Sequence, residues 1–77
     1  MNYKEFLNTL EDIMEMDKNT LQGNEVLIDL QQWDSIALLS VIAMLDETFH
    51  IVIPIDQLQH LTNIADLTHL VRPKLVD

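Results

Sequence analysis

Phe6, Leu7, Leu10, Ile13 and Met14 recur at the three- and four-residue spacing of a single helix face. Asn2 followed three places later by Glu5 forms a capping-box signature in front of them. The pattern predicts a first helix over about residues 3–16, and its opposite face, with Glu5, Asn8, Glu11, Asp12 and Glu15, reads as solvated. The period then breaks. Asp17, Asn19, Gly23, Asn24 and Asp29 punctuate residues 17–33 and predict a long loop, tacked down by Val26, Leu27, Ile28 and Leu30. Loops of that length inside a small domain tend to carry function.

A second helix is predicted over about 35–49, with Asp34 as its N-cap. Its sequence is apolar almost all round. Leu38, Val41, Ile42, Leu45 and Phe49 fit one core-facing stripe, which leaves Ile36, Leu39, Ser40, Ala43 and Glu47 on the flank or outside. Apolar groups left outside suggest a contact surface. Ile51-Val52-Ile53 has the branching of a strand but no second strand to pair with, so it reads as a buried connector. After Pro54 a short helical turn fits about 56–60. Asn63 with Asp66 starts a last helix over about 63–71, whose core residues are Ile64, Leu67, Leu70 and Val71. Pro73 stops that helix and leaves Lys74 to Asp77 as a frayed tail. The expected fold is all-α, a four-helix bundle in one domain over 1–77, with a long loop after the first helix and a short third helix.

Composition narrows this picture. A chain of 77 residues buries only about 60–65% of the surface its unfolded form exposes, so stability is expected to be modest. One glycine and two prolines argue against a sheet of tight hairpins, while 48% hydrophobic residues suffice for one core. A net charge of −9 opposes nucleic acid and anionic membrane, and favours enzymes with basic docking surfaces. No cysteine means no disulfide, no thiolate nucleophile and no thiolate metal site, consistent with a reducing compartment. The start Met-Asn-Tyr-Lys-Glu lacks the flank and apolar run of a secretory signal, and Ile36–Leu45 is too short to span a bilayer, so a cytoplasmic monomer is expected.

The chemistry concentrates at Asp34-Ser35-Ile36, directly after Trp33 and at the mouth of the apolar second helix. A serine there puts its hydroxyl at the positive end of the helix dipole, beside N–H groups that favour an anion such as a phosphodiester. A serine at a helix start is by itself common. Here it is followed by Asp46-Glu47-Thr48-Phe49-His50-Ile51-Val52-Ile53-Pro54, and the order Asp-Ser-apolar helix, then Phe-x-Ile-x-Ile-Pro, resembles the acyl carrier protein family over nearly the whole chain. The long loop agrees with the extended connection of that family.

The resemblance implies that Ser35 carries a 4′-phosphopantetheine arm installed from coenzyme A, with acyl groups held as thioesters on the arm's terminal thiol. It implies that Asp34 helps present the serine to the phosphopantetheinyl transferase and its magnesium ion. The other implied partners are acyl-loading and acyl-transfer enzymes such as synthetases, ketosynthases or acyltransferases of fatty acid, polyketide or related biosynthesis. Docking would be led by the second helix, with Asp46 and Glu47 steering and Ile36, Leu39, Ser40 and Ala43 in short-range contact. Such a carrier has no catalytic activity of its own. An apolar space between its helices would shelter a fatty cargo if that cavity is open, which the sequence leaves undecided. Trp33 departs from the glycine frequent before Asp-Ser, and Ala37 and Ser40 stand where typical fatty acid carriers place acidic residues, which points to a specialised member.

Other chemistries find less support. His50, His60 and His69 have neither ligand spacing nor matching carboxylates, and no metal site is expected. No Gly-x-Ser-x-Gly elbow surrounds Ser35, as a hydrolase would need. Met14, Met16 and Met44 read as core fillers. Two alternatives stay open: a peptidyl or aminoacyl carrier of nonribosomal or D-alanine-transfer type, which differs in cargo alone, and an unmodified acidic interaction module whose second helix binds a basic partner.

Overall fold

The computed structural model describes residues 1–76 and contains four α-helices and no strand among them. These are α1 (Tyr3–Ile13), α2 (Ser35–Phe49), α3 (Ile55–Gln59) and α4 (Ile64–Val71), with short 3₁₀ turns at Leu27–Asp29 and Arg72–Lys74. The expected all-helical bundle with a long first loop is what the chain forms.

α1 begins with the expected capping box: the Asn2 side chain accepts from Glu5 N–H at 2.8 Å and the Glu5 carboxylate accepts from Asn2 N–H at 3.0 Å. It ends at Ile13, three residues before the end expected at 16. Glu15 turns into the left-handed region at φ 56°, Glu15 N–H donates to Asp12 C=O at 3.2 Å, and Met16 N–H donates to Glu11 C=O at 2.8 Å. That pair of bonds is a Schellman closure, and it satisfies the last carbonyls without a further helical turn. Met14 remains in the core beyond the helix end.

α2 has the expected bounds. Asp34 caps it by accepting from Ala37 N–H at 2.9 Å, and His50, left-handed at φ 57°, closes it. Its buried residues are Ala37, Leu38, Val41, Leu45 and Phe49; Ile42, expected in that stripe, is half-buried and packs against the core, and Ala37 joins the buried face. α3 starts one residue early, at Ile55, and stops at Gln59. α4 starts at Ile64 because Asn63 is its cap, accepting from Asp66 N–H at 3.0 Å. Thr68 is buried in α4 beside the expected core residues, its hydroxyl satisfied by donating to Ile64 C=O at 3.1 Å, and Leu70 packs half-buried against the core. Residues 74–76 do not form a loose tail: a 3₁₀ turn carries the chain past Pro73, and Val76 N–H donates to Met1 C=O at 3.2 Å. Asp77, the last residue of the expected tail, lies outside the described residues.

Phe6, Leu10, Val41, Leu45, Leu58, Ile64, Leu67 and Val71 are fully buried, so all four helices contribute to one core. Phe6 of α1 meets Phe49 of α2 edge to face, with ring centroids 6.1 Å apart. Each such side chain contributes roughly 1.5–3 kcal/mol of transfer free energy on burial.

The long loop is fastened by polar groups as much as by apolar ones. Glu11, expected on the solvated face of α1, is fully buried; its carboxylate accepts from Asn19 N–H at 3.1 Å and Leu21 N–H at 2.8 Å. Further on, Val26 forms an antiparallel bridge with Asn63, with Leu27 N–H donating to Thr62 C=O and Ile64 N–H to Glu25 C=O, both at 2.9 Å. The bridge and the following 3₁₀ turn send Leu27 inward and its neighbours outward. Ile28, expected to tack the loop down, is therefore 87% exposed, and Val26 is exposed as well. The connector after α2 alternates likewise: Ile53 is buried and Val52, expected to be buried, is 82% exposed.

Candidate functional site

The site is built where the loop meets α2. Trp33 is half-buried against the core, and its backbone N–H donates to Leu30 C=O at 3.0 Å, which pins the loop just before Asp34. Asp34 is extended at φ −118°, ψ −174°, the geometry of an N-cap, and Leu38 N–H donates to its carbonyl at 2.9 Å. Ser35 is thus the first helical residue. Its side chain is exposed and makes no hydrogen bond among the described residues, since Asp34 does the capping. The hydroxyl stands at the end of a fifteen-residue helix, where the summed backbone dipole amounts to roughly half a positive charge. An exposed, unengaged hydroxyl at that point fits a phosphodiester attached to it.

From Ser35 an outward strip runs along α2. Ile36 is 75% and Leu39 59% exposed, Ala43, Asp46 and Glu47 are exposed, and Ser40 is half-buried. They occupy the face opposite the buried stripe, so the expected contact strip is one continuous surface. Ala37, one of the two positions where acidic residues stand in fatty acid carriers, is 2% exposed and packs inward; a carboxylate there would be buried without a cation. That position contributes packing in this chain.

A groove of about 240 Å³ opens beside Ser35. Its walls come from Ile13, Met14 and Glu15 at the end of α1, from Gln32 and Asp34 in the loop, and from Ile36 and Ala37 on α2. Glu15 and Gln32 take part although the sequence pattern gives no sign of it. Glu15 reaches this place because α1 closes early and turns the residue into the left-handed region.

None of the three histidines lines the groove. The His60 ring pairs with Asp56 C=O at 2.6 Å, and His50 and His69 are exposed. Among the described residues no group of three or more histidines and carboxylates is placed to hold a metal, and no helix is long and apolar enough to cross a membrane.

A family model described as the phosphopantetheine attachment site matches residues 4–71, spanning α1 to the end of α4. No curated protein and no solved structure matches the chain.

Proposed function

Because the chain belongs to the phosphopantetheine-attachment family, whose domains bear covalently linked 4′-phosphopantetheine, we propose that Ser35 is the attachment point and that the chain is an acyl carrier protein. The observation that carries this reading is the exposed, unengaged Ser35 hydroxyl at the start of α2. Loading forms a bond between Ser35 Oγ and phosphorus as the pyrophosphate bond of coenzyme A breaks; the hydroxyl proton leaves, and adenosine 3′,5′-bisphosphate departs. Asp34 holds the first turn of α2 in place and presents the serine to the transferase and its magnesium ion.

The arm supplies the thiol that a chain without cysteine lacks, and through it an acyl group is carried as a thioester. The chain itself binds, presents and releases, and performs no catalysis. Tethering replaces a diffusional encounter by a high effective concentration at each docked enzyme. Partners are acyl-loading and acyl-transfer enzymes of fatty acid, polyketide or related biosynthesis. Ile36, Leu39, Ser40 and Ala43 give short-range contact, while Asp46 and Glu47, within a net charge of −9, steer the encounter with basic surfaces.

The test is the intact mass of the pure chain before and after incubation with coenzyme A, magnesium and a broad-specificity phosphopantetheinyl transferase, beside Ser35→Ala. One added phosphopantetheine on the wild type alone is expected. A wild type left unmodified while a known carrier is labelled, or a labelled Ser35→Ala chain, overturns the assignment. Loading of the armed chain by candidate synthetases with fatty, amino or hydroxy acids then identifies the cargo.

A further inference from the structure

We propose that the groove between the end of α1 and the start of α2 is a resting seat for the pantetheine part of the arm. The proposal rests on Ser35 as the attachment point. Asp34 and Ile36, the two residues flanking Ser35, both line this groove, so an arm on Ser35 starts at its rim. Contact between arm and groove is then intramolecular, and for a short flexible tether the effective concentration reaches about millimolar. Interactions too weak to hold free pantetheine suffice to populate a seated arm.

The chemistry of the walls suits that occupant. Ile13, Met14, Ile36 and Ala37 make an apolar side, and Glu15, Gln32 and Asp34 a polar one. Pantetheine carries two secondary amides and a geminal dimethyl group on short methylene spacers. Its amide N–H groups would donate to the carboxylates of Glu15 and Asp34, and its carbonyls accept from the Gln32 amide, while the methyl groups meet the apolar side. Hydrogen bonds to an ionised acceptor are roughly twice as strong as neutral ones. The same two carboxylates repel the phosphodiester, which keeps the phosphate at the helix end and only the neutral part in the groove. At about 240 Å³ the groove is smaller than the roughly 300–1,000 Å³ of sites that enclose drug-sized ligands, so it takes the arm and leaves a long acyl chain outside.

The experiment uses isotope-labelled chain carrying an unlabelled arm, with complete loading verified by mass. Isotope-filtered nuclear Overhauser spectra of the holo chain are expected to connect the arm's methyl protons with Ile13 and Ile36, and amide shifts between apo and holo forms to extend to residues 13–15 and 32. In Glu15→Gly/Gln32→Ala, which retains Asp34 and Ser35, the ratio of seated to free arm is expected to fall more than about tenfold, because one charge-assisted and one neutral hydrogen bond are lost together. A fully loaded chain whose shifts stop at residues 34–37 and whose arm shows no contact with Ile13 overturns the seat and leaves Ser35 as the attachment point. Arm contacts with α3 in place of α1 do the same. A wild type that takes no arm overturns the Ser35 reading, and the seat with it.

Discussion

Removing the Glu11 carboxylate is the most direct probe of how the long loop is held. The group is fully buried, and its two oxygens accept from the backbone N–H groups of Asn19, at 3.1 Å, and Leu21, at 2.8 Å. In Glu11→Ala both donors lose a charged acceptor, a change worth roughly 1.5–3 kcal/mol for a group that stays buried. The two donors differ in what replaces it. Asn19 is exposed, so water can take over its bond; Leu21 is 5% exposed and its N–H is left unpaired. The desolvation cost of the buried carboxylate is also relieved, which offsets part of the loss. The net expectation is a destabilisation of about 1–2.5 kcal/mol, a large share of the roughly 4–12 kcal/mol expected for a domain of this size.

The assay is urea unfolding followed by far-UV circular dichroism, comparing midpoints at unchanged slope. Amide exchange of Leu21 should accelerate alongside. Glu11→Gln retains one accepting oxygen but turns an NH₂ group toward a backbone donor, and should lose about 1–2 kcal/mol. If Glu11→Ala unfolds within about 0.5 kcal/mol of the wild type and Leu21 stays protected, the buried carboxylate does not hold the loop and the reasoning fails.

Three further outcomes are expected. Gly23 sits at φ +110°, and a Cβ there would run into the Tyr3 hydroxyl, so Gly23→Ala should destabilise by about 1–3 kcal/mol in urea unfolding; made in a Tyr3→Phe background and compared with Tyr3→Phe alone, it should cost only the backbone share. Glu15→Gly removes a side chain from a left-handed residue at φ 56° and should raise stability by about 0.5–1 kcal/mol, visible as a higher melting temperature. Burial pushes the Glu25 carboxyl up, but the backbone N–H groups of Gln22, Gly23, Glu25 and Asn24 outweigh it and hold the carboxyl below its ordinary 4.5. Its contribution is therefore present above pH 4.5 and is lost as pH falls below that value through the lower folded one; Glu25→Gln should flatten the acid limb of the stability curve there, and an unchanged acid limb would refute the assignment.

The repeating parts of this molecule were readable in the sequence. Periodicity and cap residues located α2 to the residue and both capping boxes, because those signals are local: an Asn or Asp, a donor two or three places on, and an apolar stripe. The exposed strip on α2 followed from the same stripe by subtraction. What escaped depends on contacts distant in sequence. Glu11 looks like any acidic residue of a solvated face until a loop eight to ten residues later lays two N–H groups against it. Ile28 and Val52 look like core residues until a bridge to Asn63 and an alternating connector turn them outward. The early end of α1 needed a left-handed glutamate, which no propensity favours over glycine. The groove inherits that invisibility, since Glu15 reaches it only through the closure.

The hydrogen bond from Val76 to Met1 brings the two ends of the described chain side by side on the bundle. Any segment added before Met1 or after Val76 therefore departs from one pole, and copies strung in series would hang from a common stalk. A peptide joining the two ends would close a circle at little cost in loop entropy, and new ends could be opened between the exposed residues 17 and 18, ahead of the Asn19 and Leu21 N–H groups that Glu11 holds. Such a permuted chain would move the tether from the ends to the loop and alter which way Ser35 faces relative to any fused segment.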